Sequence, residues 1–245
     1  MKRLFYHAYD AYMAHAYPSD ELLPLSCRGT EATATEHGTP QPVATGDWSR
    51  TLIDALDTLY VLGEWADFEH AVGLVQRDFR PVPLDGASVS LFESTIRVLG
   101  GLLSAHIIAA RNAERFNPAA PYRGQLLAHA EAVAQALMPA FDTPTGIPCS
   151  TVSSSAASWE CLFAETTPAD AGTLLLEWRT LARLTGKEVY SKYVDRALKV
   201  LRTTRSRLGL YSEWISWSNL KKKCASSVLP RTEREESNRK TACWK

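Results

Sequence analysis

Leu91-Phe-Glu-Ser-Thr-Ile-Arg-Val-Leu-Gly-Gly-Leu-Leu-Ser-Ala-His-Ile-Ile-Ala-Ala110 is the most apolar run of the chain, and its length and period are those of a helix. Two glycines, Gly100 and Gly101, stand in its middle. Each costs about 1 kcal/mol relative to alanine in a helix interior, which predicts a close helix–helix approach there. The same period recurs on both sides of this run. Phe5, Ala8, Tyr12 and Ala16 share one side of a first helix that Pro18 ends. Leu52, Leu56, Leu59 and Leu62 form the stripe of a second, with Ser49 as its N-cap and Gly63 as its stop. Further helices are predicted over 65–79, 124–137, 169–184 and 188–202. The segments 27–46 and 150–165, rich in Thr, Gly, Pro or Ser, read as loops. Strand signals are scarce. Helices of modest length joined by short connections predict an all-α fold of antiparallel hairpins, and the lack of a common solenoid period favours a closed α/α toroid.

The 245 residues carry a formal net charge of +0 and 45% hydrophobic side chains, enough apolar material for a core. The neutral balance gives no reason to expect nucleic acid or an anionic membrane as partner. No stretch of about 18 apolar residues is read as a transmembrane helix, and the amphipathic start Met1-Lys-Arg-Leu-Phe-Tyr-His-Ala-Tyr-Asp10 is not a signal peptide. Five cysteines, Cys27, Cys149, Cys161, Cys224 and Cys243, leave at least one unpaired. They are consistent with free thiols in a reducing compartment, or with a disulfide such as Cys27–Cys161 in an oxidising one. None is in a C-x-x-C pair, so zinc is not expected. From Lys221 onward the chain is polar, mostly basic and aperiodic, and residues 211–245 are expected to be an unrelated disordered tail after a domain at 1–210.

Acids set in apolar helices are the candidates for chemistry, because burial can shift a carboxyl group into a useful range. Glu93 stands at the entry to the most apolar helix, with Arg97 four residues on and hence on the same face. An ordinary i,i+4 ion pair would give the same pattern. Asp54 and Asp57, three apart in an otherwise apolar helix, could equally be half-buried structural acids. Glu177 and Asp170 are similar, Asp170 as a first-turn acid facing the helix dipole. The six histidines have no metal-ligand spacing. No H-E-x-x-H, G-x-S-x-G or phosphate-binding glycine loop occurs.

Five collinear stretches carry a resemblance. They are His7 to Gly29, Thr51-Leu-Ile-Asp-Ala-Leu-Asp-Thr-Leu59, Ser90 to His106, Leu137-Met-Pro-Ala-Phe-Asp-Thr-Pro-Thr-Gly-Ile-Pro148, and Ala171-Gly-Thr-Leu-Leu-Leu-Glu-Trp178 followed by Leu184-Thr-Gly186. Together they resemble the N-terminal half of glycoside hydrolase family 47, the class I α-1,2-mannosidases, and within it the ER degradation-enhancing branch. The resemblance implies part of an (α/α)7 barrel that trims α-1,2-linked mannose from N-linked high-mannose glycans or glycoproteins, with inversion and with calcium, in the endoplasmic reticulum lumen. It implies Glu93 as general acid, Arg97 and Asp170 as substrate-binding residues, and Asp54 and Asp57 as architectural; Cys27 matches a cysteine of the branch. The family's other catalytic acids and its calcium-binding Thr fall in segments beyond Lys245. The expectation is therefore an incomplete enzyme that does not turn over alone. The alternatives are a non-catalytic protein that binds mannose glycans or misfolded clients, and a non-functional gene fragment.

Overall fold

The computed structural model describes residues 1–30, 48–81, 88–155, 158–220 and 222–223. The predicted loop at 27–46 therefore lies mostly outside the described residues. Helix α1 (Lys2–His15) buries Tyr9 and Tyr12, and a two-stranded ribbon, β1 (Leu22–Leu23) with β2 (Arg28–Gly29), follows it. Helices α2 (Arg50–Val61) and α3 (Trp65–Asp78) form a hairpin. It turns at Gly63, whose φ of 82° lies in the left-handed region that glycine enters without strain. The long apolar run becomes one continuous helix, Leu91–Arg111. It consists of α4 (Leu91–Glu93), a π-helical turn (Ser94–Leu99) and α5 (Gly100–Arg111). Next come α6 (Gln125–Leu137), the short α7 (Pro168–Gly172), α8 (Leu175–Thr185) and α9 (Val189–Thr203).

The core lies where α2, α5, α6 and α8 meet. Leu52, Leu56, Leu59, Leu102, Leu126, Leu137, Trp178 and Leu181 are all buried there, each fully buried leucine contributing about 1.5–3 kcal/mol. The predicted close approach is found at one glycine of the pair. A Cβ on Gly101 would lie 2.7 Å from Ile53 Cγ2 and 2.9 Å from Ile53 O, so α5 crosses α2 at backbone contact. A Cβ on Gly100 would meet Glu177 Cγ at an ordinary 3.5 Å. Leu91–Arg111 is long and apolar enough to cross a membrane by length and composition alone, a test that a core helix also passes; half of that window is buried inside the protein.

Several expectations are corrected. Ser49 does not cap α2: its φ is 53° and its Oγ donates to Pro18 O at 2.7 Å. The cap comes from Asp20, whose Oδ1 accepts from Trp48 N at 2.8 Å and Arg50 N at 3.0 Å. The serine-rich stretch 150–165 is not a loop throughout. Strands β3 (Ser88–Ser90), β4 (Thr151–Ser155) and β5 (Ser158–Cys161) form an antiparallel sheet. Serine is a weak strand former, but Val89 opposite Val152 makes a buried apolar pair that outweighs local propensity. Cys161 is bonded to Cys149, not to Cys27, because that hairpin brings the two Cα atoms to 5.7 Å; Cys27 is a free, exposed thiol. The single helix expected over 169–184 is broken. Thr173 Oγ1 donates back to Ala169 O at 2.8 Å and closes α7, and a Cβ on Gly172 would meet Leu201 of α9 at 2.8 Å. Finally, residues 211–220 are not a disordered tail. Strand β7 (Trp214–Ser216) pairs with β6 (Glu165–Thr166) and with β8 (Lys222–Lys223). Ile215 is fully buried with Ile147, Ala171 and Leu201. Residues 224–245 lie outside the described residues.

Candidate active site

Glu93 ends α4, and Ser90 fixes that end: Glu93 N donates to Ser90 Oγ at 3.3 Å, as a Ser-x-x-Glu start predicts. The π-helical turn begins at the next residue. Such turns are rare and occur often at functional sites, because the extra residue per turn re-aims the side chains around it. The pairing of Glu93 with Arg97 survives the turn. Arg97 Nε donates to Glu93 Oε2 at 2.6 Å, and Arg97 Nη1 donates across to Asp54 Oδ2 at 3.0 Å. The three side chains are 34%, 43% and 45% exposed respectively, so the group is open to a ligand. Glu93 first, and Asp54 after it, hold the Arg97 guanidinium even more firmly protonated than usual.

The two aspartates read together in the sequence part company here. Asp54 belongs to the Arg97 cluster. Asp57, one turn on, accepts from Ser104 Oγ at 3.0 Å and ties α2 to α5. Sequence spacing put both on one face but could not say which would find the arginine.

Asp170 stands in the first turn of α7, where its backbone N donates to Thr167 Oγ1 at 3.1 Å. Asp170 lines a cavity of about 470 Å³ together with Ser90, Thr151, Phe163, Glu165 and Trp214. Ser90 is shared: it caps the turn that carries Glu93, and it forms part of the cavity wall. Phe163 and Trp214 were not singled out in the sequence. The only signal for Trp214 was the residual apolar content of Tyr211–Trp217, a stretch assigned to the tail.

Glu177 lies on α8 against Gly100. Its Oε2 is buried without a hydrogen-bond partner, and burial pushes its carboxyl pKa up. Ser94 Oγ, on the π-helical turn, is likewise buried without a partner. Next to Glu177, Trp178 Nε1 donates to Thr95 Oγ1 of the same turn at 3.3 Å. The histidines stand apart: His106 Nδ1 is 2.7 Å from Tyr122 Oη, and burial lowers the pKa of both His106 and His129. Among the described residues no three His, Cys, Asp or Glu side chains are grouped so as to hold a metal ion. These residues do not fit the calcium that the resemblance implies, and no step below runs through it.

A sequence model described as glycosyl hydrolase family 47 matches residues 4–230. The ER degradation-enhancing alpha-mannosidase-like protein 2 of Homo sapiens is 40% identical over 215 residues, covering 88% of this chain and 35% of that protein. The Arabidopsis thaliana protein named alpha-mannosidase I MNS4 is 39% identical over 216 residues, covering 88% of this chain and 32% of that one. Among solved structures, the alpha-1,2-mannosidase from Trichoderma reesei superposes with a TM-score of 0.73 at 27% identity, over 91% of this chain and 44% of that one. The helical hairpins thus form part of an (α/α)7 barrel. The chain spans about a third of the length of the curated relatives it matches.

Proposed function

This chain belongs to glycosyl hydrolase family 47, and from that membership we propose that it supplies the general acid of an inverting α-1,2-mannosidase that acts on N-linked high-mannose glycans, the second carboxylate coming from the segment that the resemblance places beyond Lys245. Its setting is glycoprotein quality control and degradation in the endoplasmic reticulum. The observation that carries the reading is the Glu93–Arg97–Asp54 cluster at the π-helical turn. Arg97 engages one oxygen of Glu93, and Oε1 accepts no hydrogen bond among the described residues. That oxygen is the one to carry a proton to the departing glycosidic oxygen as the bond to the anomeric carbon breaks. In an inverting reaction a second carboxylate takes a proton from the water that attacks the opposite face, the two carboxyl groups standing about 6.5–9.5 Å apart. Asp170, reached through the cavity that Ser90 walls, accepts hydroxyl groups of the bound sugar. The Cys149–Cys161 bond supports an oxidising compartment such as the reticulum lumen.

The test is mannose release from a Man9 N-glycan by an enzyme that carries this chain together with the family's other catalytic acids, unaltered and as Glu93→Gln. General acid catalysis contributes typically 10²–10⁴-fold, so the variant should lose activity on that order while its thermal melt is unchanged. Equal release by both proteins would remove Glu93 from the role.

A further inference from the structure

We infer that the Cys149–Cys161 bond is a thiol-operated latch on the outer strand of the β3–β4–β5 sheet, opened by attack at Cys161; this does not depend on the glycosidase reading. The two arms of the β4–β5 hairpin are held unequally. Strand β4 lies between β3 and β5, and its root is tied to the helical body. Leu91 N donates to Ser150 O at 3.0 Å, and Cys149 N donates to Ala140 O at 2.9 Å. Strand β5 is an edge: among the described residues β4 is the one strand that pairs with it. A two-stranded ladder of four residue pairs is marginal in water by itself. Val152 is buried, and its partner in register is Cys161 itself. The bond therefore stands where the outer strand would otherwise begin to fray.

The two sulfurs differ in access. Cys149 is 1% exposed, whereas Cys161 is only partly buried. A thiolate of a dithiol arriving from solvent reaches the Cys161 sulfur. The S–S bond breaks, Cys149 leaves as a thiolate and takes a proton, and Cys161 holds the dithiol in a mixed disulfide. The second thiol of the dithiol then attacks its own sulfur in that bond, releases Cys161 as a thiol and departs as a cyclic disulfide. Two electrons and two protons pass from the dithiol to the cysteines. Without the bond β5 keeps only its ladder. The far root stays anchored, because Trp217 Nε1 donates to Phe163 O at 2.6 Å and Glu165 pairs with Ser216. Opening is thus confined to the hairpin between Val152 and Phe163. Thr151 and Phe163, its two roots, both line the Asp170 cavity, so the latch stiffens that wall.

Amide hydrogen exchange of the protein before and after dithiothreitol, at neutral pH without denaturant, tests this. Alkylation with iodoacetamide counts the thiols released. Amides of 153–155 and 158–162 should exchange about a hundredfold faster after reduction, the size of the lost loop closure. Those of α2 should stay protected in both states, and oxidised dithiothreitol should restore the hairpin. Cys161→Ser should exchange fast there from the start and ignore the dithiol, while Cys27→Ser should respond as the unaltered protein does. If Cys161→Ser folds poorly, the reduced unaltered protein carries the comparison. A bond that resists dithiothreitol under these conditions overturns the latch. So does equal protection of the hairpin in both states, or protection of α2 collapsing together with it.

Discussion

Arg97 joins Glu93 to Asp54, residues 39 apart in the chain, with one guanidinium: Nε lies 2.6 Å from Glu93 Oε2 and Nη1 lies 3.0 Å from Asp54 Oδ2. The two donors are fixed in one plane, so the position of one carboxylate constrains the other. An ammonium group has no such fork and cannot bridge the pair in this geometry. Arg97→Lys should therefore cut mannose release at least tenfold, the usual scale for a misplaced reacting group. All three side chains are more than a third exposed, so the melt should move by no more than about 1 kcal/mol. Full activity in the lysine variant would mean that charge alone, and not the bridge, matters.

The adjacent glycines of α5 should respond in opposite directions. Gly101→Ala places a methyl group 2.7 Å from Ile53 Cγ2 and 2.9 Å from its carbonyl oxygen, where backbone has to move. Overpacking of this kind costs about 1–3 kcal/mol. Gly100→Ala meets Glu177 Cγ and Thr95 O, both at an ordinary 3.5 Å, and should gain about 0.5–1 kcal/mol of helix stability. Urea melts of the two variants would show it; a loss in both would place the tight crossing at Gly100 as well.

The bond between Cys149 and Cys161 spans 12 residues. Closing a loop of that size stabilises a fold by roughly 3 kcal/mol. Cys161→Ser should lower the unfolding midpoint, and reductant should bring the unaltered protein down to the same value. Cys27→Ser should change neither, because Cys27 is exposed and unbonded. Sensitivity of the melt to Cys27 and not to Cys161 would reverse this assignment.

Helix positions were legible because each stripe, such as Leu52, Leu56 and Leu59, repeats over several turns and needs no knowledge of its partner. The Glu93–Arg97 pair was legible for the same reason, being one helical turn apart. Contacts made across the chain were not. Nothing local announces that Asp20 caps α2 from a distance of 30 residues, or that Asp54 and not Asp57 meets Arg97. The strands failed differently. Thr151–Ser155 has a serine-rich local composition, and only the apposition of Val89 and Val152 makes it a strand. Trp214 was hidden by the assumption that apolar content near a basic run belongs to that run, whereas Ile215 beside it is a core residue.

Asp20 offers a direct measure of such a long-range cap. One carboxylate oxygen serves two backbone N–H groups at the start of α2, and the side chain is buried. Asp20→Ala leaves both donors buried and unmatched, at about 1–3 kcal/mol. Asp20→Asn keeps an acceptor oxygen and should lose less. A melt of Asp20→Ala equal to that of the unaltered protein would mean that solvent can satisfy both donors.

Glu177 makes a prediction about pH. Burial raises its carboxyl pKa in the folded protein above the ordinary value of 4.5. Below 4.5 the group is protonated in both the folded and the unfolded state and costs nothing through this shift. As pH rises past 4.5 the unfolded chain gives up its proton while the folded protein retains it. The unfolded state then binds fewer protons, and stability falls with pH until the folded group also ionises. Glu177→Gln removes this slope. The variant should match the unaltered protein near pH 4 and melt at a higher temperature near pH 7, the gap widening from 4.5 upward and then levelling. Other carboxylates titrate in both proteins and cancel in the difference. A constant gap across the range would show that Glu177 ionises freely in the fold, with its Oε2 reached by solvent and no longer stranded against the π-helical turn.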